Sequence, residues 1–100
     1  MISRPLGNDI YLSFVVKVSG RPAMLQDAMA KILRNEKAIT EVRASVKRNR
    51  VSVVIPSDEI KSTGDYTALF DVNLVDMGKQ EHAIPFRVTK SALGKKRIIV

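Results

Sequence analysis

The amino-acid sequence predicts an all-β fold, a sandwich of two sheets built from about six to eight short strands. Over most of the chain apolar residues alternate with polar ones at a period of two, the spacing of a strand with one buried face. Turn-forming residues separate these runs at intervals of about 8–12 residues, which is typical of sandwiches. The 100 residues are enough for one hydrophobic core. We therefore expect a single domain over residues 1–100, with a basic and apolar C-terminal extension at 94–100.

The first strand is expected between two turn-rich segments, residues 7–9 and residues 19–22. Tyr11, Ser13 and Lys17 lie at the alternate positions that would face outward. The buried face is predicted to consist of Ile10, Leu12, Phe14, Val16 and Val18.

Residues 23–40 fit two structures. Apolar residues recur there with the spacing of one helix face, at Met24, Leu25, Ala28, Met29, Ile32 and Leu33. Together with a helix-favouring composition, this spacing predicts a helix at about 24–34, which would make the fold α+β. A strand over residues 28–34 would instead place Ala28, Ala30 and Ile32 on one face. Local sequence rules favour the helix.

A β-hairpin is expected between Val42 and Ile55. If Arg48 and Asn49 form a two-residue turn, Val46 lies opposite Val51 and the two apolar rows share one face. Asn tolerates the left-handed backbone conformation that such a turn requires, whereas Arg is an unfavourable residue there.

The chain after the hairpin predicts a short turn and two more strands. Pro56 ends the hairpin, and Ser57 is expected to cap a single helical or 3₁₀ turn. The next strand buries alternate residues, namely Tyr66, Ala68, Phe70, Val72 and Leu74. After a turn at residues 76–79, the last strand contains Ile84, Phe86 and Val88. Because Pro85 has no N–H to donate, that strand should be unpaired on one side there, as an edge strand is.

The composition excludes most catalytic and metal chemistry. The chain has no Cys, so disulfides, thiol nucleophiles, cysteine-zinc sites and iron–sulfur clusters are excluded, and one His excludes a multi-histidine metal site. That residue, His82, is expected to be exposed in a loop, and the sequence places no nucleophile or carboxylate partner beside it. We therefore expect no catalytic residues, no cofactor, no metal and no enzymatic activity. We also expect no membrane association, since no apolar run reaches about 18 residues.

The net charge of +7 directs attention to the basic residues. Lys47, Arg48 and Arg50 cluster at the expected hairpin tip, and a second cluster at residues 95–97 consists of Lys95, Lys96 and Arg97. Such clusters can bind nucleic-acid phosphates without sequence specificity. Sequence-reading proteins also stack bases on aromatic rings, and Tyr11 is the one aromatic residue expected to be exposed. Nucleic-acid binding is thus possible but not favoured.

Five motifs, taken in order and spacing, resemble a known family. They are Gly7-Asn8-Asp9-Ile10, Gly20-Arg21-Pro22, Arg48-Asn49-Arg50-Val51, Thr63-Gly64-Asp65-Tyr66-Thr67 and Ile84-Pro85-Phe86-Arg87-Val88. Over residues 7–90 the sequence resembles the immunoglobulin-like N-terminal domains of phage baseplate upper proteins, especially those of Bacteroides-type phages and prophages. One departure is Arg48, where the family usually has Gly before the hairpin Asn.

The resemblance implies an immunoglobulin-like β-sandwich, with a strand rather than a helix over residues 28–34. It implies a structural domain of a phage tail or baseplate, made in the bacterial cytoplasm and located in the virion. Partners would be other tail or baseplate subunits, including further copies of this chain in a symmetric ring. The expected contact residues are Lys47, Arg48, Arg50, Pro85, Lys95, Lys96 and Arg97. A cell-surface sandwich module that binds other molecules is the remaining alternative.

Overall fold

The computed structural model describes residues 1–90, which form nine β-strands and one 3₁₀ turn at Ser57–Glu59 and contain no α-helix. The strands are β1 (Ile2–Pro5), β2 (Ile10–Val15), β3 (Lys17–Val18), β4 (Arg21–Pro22), β5 (Leu25–Arg34), β6 (Lys37–Lys47), β7 (Arg50–Ile55), β8 (Gly64–Leu74) and β9 (Gly78–Thr89). The predicted all-β fold is therefore confirmed, and the α+β alternative is wrong. The part of the chain that the structure describes contains no helix that could cross a membrane.

Seven strands follow one another in the order β1-β9-β8-β5-β6-β7-β2, and they fold into two packed layers. β6 belongs to both layers, because residues 37–44 pair with β5 and residues 45–47 pair with β7. The first layer consists of β1, β9, β8, β5 and the start of β6, and the second consists of the end of β6, β7 and β2. The layers meet where the Phe14 ring of β2 packs edge-on against Phe70 of β8, with ring centroids 4.9 Å apart.

The pairing of these strands is that of an immunoglobulin-like sandwich. In that fold seven strands A to G form one sheet in which B, E and D are neighbours and another with C, F and G. Here β2 pairs with β7 and β7 with the end of β6, which reproduces B–E–D. β5 pairs with β8 and β8 with β9, which reproduces C–F–G. The first strand, β1, lies parallel to β9 instead of pairing with β2.

A tyrosine corner supports the same assignment. Tyr66 lies at the start of β8, its side chain is buried, and its hydroxyl donates a 2.6 Å hydrogen bond to the carbonyl oxygen of Ser62. A Tyr at the start of strand F that bonds to the backbone a few residues upstream is a hallmark of immunoglobulin-like domains. The Arg34 guanidinium closes the corner, because it donates to the Tyr66 hydroxyl and to the carbonyl oxygen of Thr63, each at 3.1 Å.

The core lies between the two layers and, among residues 1–90, every buried side chain is hydrophobic. The predicted alternation is confirmed on β2, β7 and β8, whose inward residues are Ile10, Leu12, Val51, Val53, Ile55, Tyr66, Ala68, Phe70, Val72 and Leu74. Most of the favourable free energy of folding thus comes from apolar surface removed from water between the layers.

Residues 25–34 form strand β5 because of tertiary packing. β5 pairs with β6 on one side and β8 on the other, so its backbone is hydrogen-bonded on both sides. Ala28, Ala30 and Ile32 are buried, while Met29 and Leu33 are half-buried on the outer face. Apolar residues on both faces produce the helix-like spacing. Their burial outweighs a helix propensity worth only tenths of a kcal/mol per residue.

The hairpin turn lies where it was predicted, but a different residue takes the left-handed conformation. Val46 pairs with Val51, and Arg48 and Asn49 form the turn. Arg48 has a φ of 58°, whereas Asn49 is not among the residues with positive φ. The Asn49 side chain instead donates a 3.3 Å hydrogen bond to the carbonyl oxygen of Val16. Contact with the end of β2 therefore selects the conformation of Asn49 and leaves Arg48 in the strained position.

Two further details of the prediction need correction. Ser57 is not the cap of the 3₁₀ turn: Pro56 takes that position, and the Ser57 N–H donates to the Asp9 carboxylate at 2.9 Å. The last strand also begins earlier than expected, at Gly78. The expected unpaired side at Pro85 is present, because β1 pairs only with residues 86–89 of β9 while β8 pairs with the other side of the strand. The predicted extension at residues 94–100 lies outside the described residues.

Candidate interaction surface

One end of the sandwich gathers three loops into a surface that we call the loop end, defined as residues 16–24, 47–50 and 75–77. The first loop contains the short strands β3 and β4, the second is the tip of the β6–β7 hairpin, and the third joins β8 to β9. In an immunoglobulin-like sandwich these are the B–C, D–E and F–G loops, which cluster at the same end.

Backbone hydrogen bonds hold the three loops together. The Val16 N–H donates to the carbonyl oxygen of Asn49 at 2.8 Å, which joins the first loop to the second. The Val75 N–H donates to the carbonyl oxygen of Met24 at 3.0 Å, which joins the third loop to the first. Ala23 N–H closes the first loop on the carbonyl oxygen of Val16 at 3.1 Å. The side chains of the loop end therefore project from a fixed frame.

The loop end is strongly basic. It contains five basic residues and one acidic residue, Asp76, so it carries a net charge of +4 out of the +7 of the whole chain. All five basic side chains are exposed: Lys17, Arg21, Lys47, Arg48 and Arg50. Cations brought this close together repel one another, and a negatively charged partner relieves that repulsion.

Exposed apolar side chains lie among these cations. Met24 is 73% exposed and Met77 is 58% exposed, and Val75, whose N–H bonds to the Met24 carbonyl oxygen, is also exposed. A shallow groove runs from Met24 and Leu25 to Arg48 and Asn49. Methionine and arginine are both enriched in the cores of protein–protein interfaces. The loop end thus combines the two chemistries of a protein contact, apolar area and directional charge.

The structure brings together only part of the predicted contact set. Lys47, Arg48 and Arg50 lie together at the hairpin tip, as predicted. Pro85 is exposed but lies eight residues from Met77 of the loop end, about 26 Å at the rise of a strand. It belongs to a different surface, beside Leu33 and Thr67. Lys95, Lys96 and Arg97 lie outside the described residues.

Sequence reasoning missed four residues of the loop end: Lys17, Arg21, Met24 and Met77. The sequence pattern places Met24 in the helical stripe and Lys17 on the outward face of the first strand. The signal for Met77 was present in the sequence, because a large apolar residue within a predicted turn is expected to be exposed. The signal for the other three was their position within three residues of Gly20 or Pro22, which interrupt the strand.

His82 lies on a strand and not in a loop, which corrects the prediction. It is half-buried on β9, its ring centroid is 5.0 Å from that of Phe14, and its Nε2 lies 3.2 Å from the Gln80 side-chain oxygen. These contacts place the imidazole in a packing role at the margin of the core. No group of three or more potential metal ligands occurs within residues 1–90.

Tyr11 is the exposed aromatic side chain that the sequence predicted, with 53% of its surface accessible. It lies on the outer face of β2, outside the residues that define the loop end, and its hydroxyl is 3.3 Å from that of Ser52. Hydrogen bonds with Ser52 and then with Ser13 lower the pKa of Tyr11; the nearby Arg50 charge adds to this, and burial opposes it. The loop end itself has no aromatic ring on which a nucleic-acid base could stack.

Comparison of the chain with protein-family models, with curated proteins and with solved structures found no match.

Proposed function

We propose that the chain is a non-catalytic structural or assembly domain of a phage tail or baseplate, and that it acts through protein–protein contacts. Its partners are neighbouring tail or baseplate subunits, with further copies of itself in a symmetric ring among them. It is made in the bacterial cytoplasm and located in the virion. Support for the phage assignment comes from the five motifs over residues 7–90 that resemble the baseplate upper proteins.

The observation that carries the protein-contact part of the proposal is the composition of the loop end. A net charge of +4 surrounds the exposed thioethers of Met24 and Met77 on loops fixed by backbone hydrogen bonds. A rigid surface loses little conformational entropy on binding, which favours a stable contact. The complementary partner surface is acidic at its rim and apolar at its centre.

Mass spectrometry of phage particles purified from an induced culture of the source strain tests the proposal. We expect peptides of this chain at several copies per particle. If the chain is abundant in the same lysate but absent from intact particles, its location in the virion is wrong, and an assembly factor or a resemblance of fold alone remains.

A charge-reversal pair tests the contact surface. In Arg48→Glu/Arg50→Glu two cations of the loop end become anions, and we expect incorporation into particles to fall at least tenfold, the effect of about 1.4 kcal/mol. Lys37→Glu/Lys61→Glu is the control, because it makes the same change in net charge at exposed residues outside the loop end. Equal incorporation of the two variants would rule out the loop end as the contact.

The same positive charge favours nucleic-acid binding as a second candidate. Phosphate contacts alone would give binding that weakens steeply as salt rises. A shift of random DNA that fades as salt rises from low to physiological concentration, and that Arg48→Glu/Arg50→Glu abolishes, would favour this function over the protein contact.

A further inference from the structure

β2 forms one edge of the seven-strand ladder. It pairs with β7 on one side, and no strand within residues 1–90 pairs with it on the other. The strand has six residues, Ile10–Val15, and none of them is charged. An open strand edge carries a row of backbone donors and acceptors that can pair with another strand.

The hydrogen-bond pattern shows which backbone groups point to the open side. Residues of an antiparallel strand alternate between those that exchange hydrogen bonds with a given neighbour and those that do not. The Val16 N–H bonds to Asn49, just beyond the end of β7, so the even-numbered residues of β2 bond to β7. The N–H and carbonyl groups of Tyr11, Ser13 and Val15 therefore face the open side.

The edge of the first layer that β1 and β9 form is protected against pairing, whereas β2, at the edge of the second layer, is not. β1 is only four residues long and ends in Arg4 and Pro5, and the open part of β9 contains Lys79 and Pro85. Short length, charge and proline are the usual protections of an edge strand. β2 has no charge and no proline, and its outward side chains Tyr11 and Val15 are 53% and 44% exposed.

We infer that two copies of this chain associate through β2, paired antiparallel about a two-fold axis at Ser13. In this register Tyr11 of each copy lies opposite Val15 of the other, an aromatic and β-branched pair of the kind that stabilises sheets. Leu12 lies opposite Phe14 in the same way. The backbone N–H and carbonyl groups of Tyr11, Ser13 and Val15, which face the open side of each strand, form about six hydrogen bonds across the interface.

Charge complementarity selects this register. Asp9 and Lys17 flank the uncharged strand, each four residues from Ser13. The two-fold axis at Ser13 therefore brings Asp9 of each copy beside Lys17 of the other, so an opposite-charge pair closes both ends of the interface. A register shifted by one residue places the buried face of one strand on the outer side of the other. The inference does not rest on the proposed phage function.

The oligomeric state of the full chain is the first test. Sedimentation equilibrium should show a species of twice 11.1 kDa that forms as concentration rises. Ser13→Pro should abolish it without unfolding the domain, because the proline removes an N–H that faces the open side and leaves the backbone bonds to β7 in place. It also removes the exposed hydroxyl that accepts a 2.8 Å hydrogen bond from Arg50, a loss that Ser13→Ala reproduces as a control. If the wild-type chain stays monomeric over the whole range of concentrations, the inference is wrong. Protection of the Tyr11 and Val15 amides from hydrogen exchange would not rescue it.

A single cysteine tests the position of the axis. Because the chain has no native Cys, Ser13→Cys can only form a symmetric disulfide between copies. The two Cα atoms of a hydrogen-bonded antiparallel pair are about 5.5 Å apart, within disulfide range. We expect mild oxidation to convert most of Ser13→Cys to covalent dimer, and Ser45→Cys, an exposed control on β6, to stay largely monomeric. Equal cross-linking of the two variants would contradict the register.

Charge exchange tests the flanking pairs. Asp9→Lys and Lys17→Asp should each weaken self-association, since each places like charges opposite one another at both ends. A mixture of the two variants restores both opposite-charge pairs, so heterodimers should form more readily than either homodimer. Circular dichroism checks that Asp9→Lys remains folded without its hydrogen bond to the Ser57 N–H. A mixture that associates no better than the separate variants would show that these pairs do not form.

Discussion

At the scale of single residues, Tyr66 has the largest structural role for a polar group in the described chain. Its ring is buried and stacks on Phe86 with centroids 5.5 Å apart, and its hydroxyl bonds to the Ser62 carbonyl and to Arg34. The corner joins the second layer to the first, because the chain leaves β7 in one layer and enters β8 in the other. The Tyr66 hydroxyl thus holds the segment that crosses from one layer to the other, through its hydrogen bonds to Ser62 and Arg34.

Tyr66→Phe tests this role. The ring keeps its packing while the Ser62 carbonyl and the Arg34 guanidinium lose a partner, so we expect the free energy of unfolding to fall by about 1–3 kcal/mol. Urea denaturation measures the change. Tyr11→Phe, which removes an exposed hydroxyl, is the matched control and should change stability by less than about 0.5 kcal/mol. Similar losses in the two variants would show that the corner contributes nothing particular.

At the scale of elements, the β6–β7 hairpin combines strain with charge at one residue. Arg48 occupies a left-handed conformation that costs a non-glycine residue roughly 1–2 kcal/mol. The same residue is one of the exposed cations of the loop end. Glycine adopts this conformation without the steric cost, so substitutions at residue 48 can separate the strain from the charge.

Arg48→Gly should separate the two properties. We expect it to stabilise the domain by about 0.5–1 kcal/mol, because glycine adopts positive φ without a steric penalty. Arg48→Ala removes the same charge but keeps the strain, so it should not stabilise. Thermal unfolding of both variants measures the difference. Arg48→Gly and Arg48→Ala should weaken partner binding at the loop end equally. If only one of the two variants binds more weakly, the charge of Arg48 is not what the partner recognises.

The strands also show what sequence alone could predict. Alternation identified the buried faces of β2, β7 and β8, because a period of two is a direct consequence of strand geometry. It could not identify β1, whose four residues include only one large apolar side chain, Ile2, and depend on pairing with β9. β5 was ambiguous, since Met29 and Leu33 are half-buried by neighbours that the sequence does not reveal.

The loop end could be predicted only at its hairpin tip. Lys47, Arg48 and Arg50 are consecutive enough to be recognised as a cluster from the sequence. Met24 and Met77 are more than 50 residues apart, and they become neighbours of one surface through a backbone bond between Val75 and Met24. Such long-range contacts follow from the order in which strands pair, and that order is a property of the whole fold.

At the scale of the whole molecule, the first strand pairs with the last. Ile2 lies beside Phe86, so this contact closes nearly the full length of the described chain. Closing a long loop costs conformational entropy that the contact must offset, and non-local pairings therefore tend to form late in folding. We therefore expect β1 to join the ladder after the other strands have paired.

Ile2→Ala tests the order of events. Ile2 packs partly buried against the core, so we expect a loss of about 1–2 kcal/mol in the free energy of unfolding. If β1 docks late, nearly all of this appears as faster unfolding and the folding rate is unchanged. Stopped-flow measurements across a range of urea concentrations give both rates. Slower folding with unchanged unfolding would place β1 in the folding nucleus instead.

The parallel pairing of β1 with β9 also determines how the domain bears mechanical load. Tension applied between residue 1 and residue 90 pulls two parallel neighbours in opposite directions, so they must slide lengthwise past each other. The four registered pairs from Ile2–Phe86 to Pro5–Thr89 are then loaded together, in shear, instead of opening one at a time as they would if the strands were peeled apart. Four residues at one edge of the ladder thus act as a mechanical clamp on the whole sandwich.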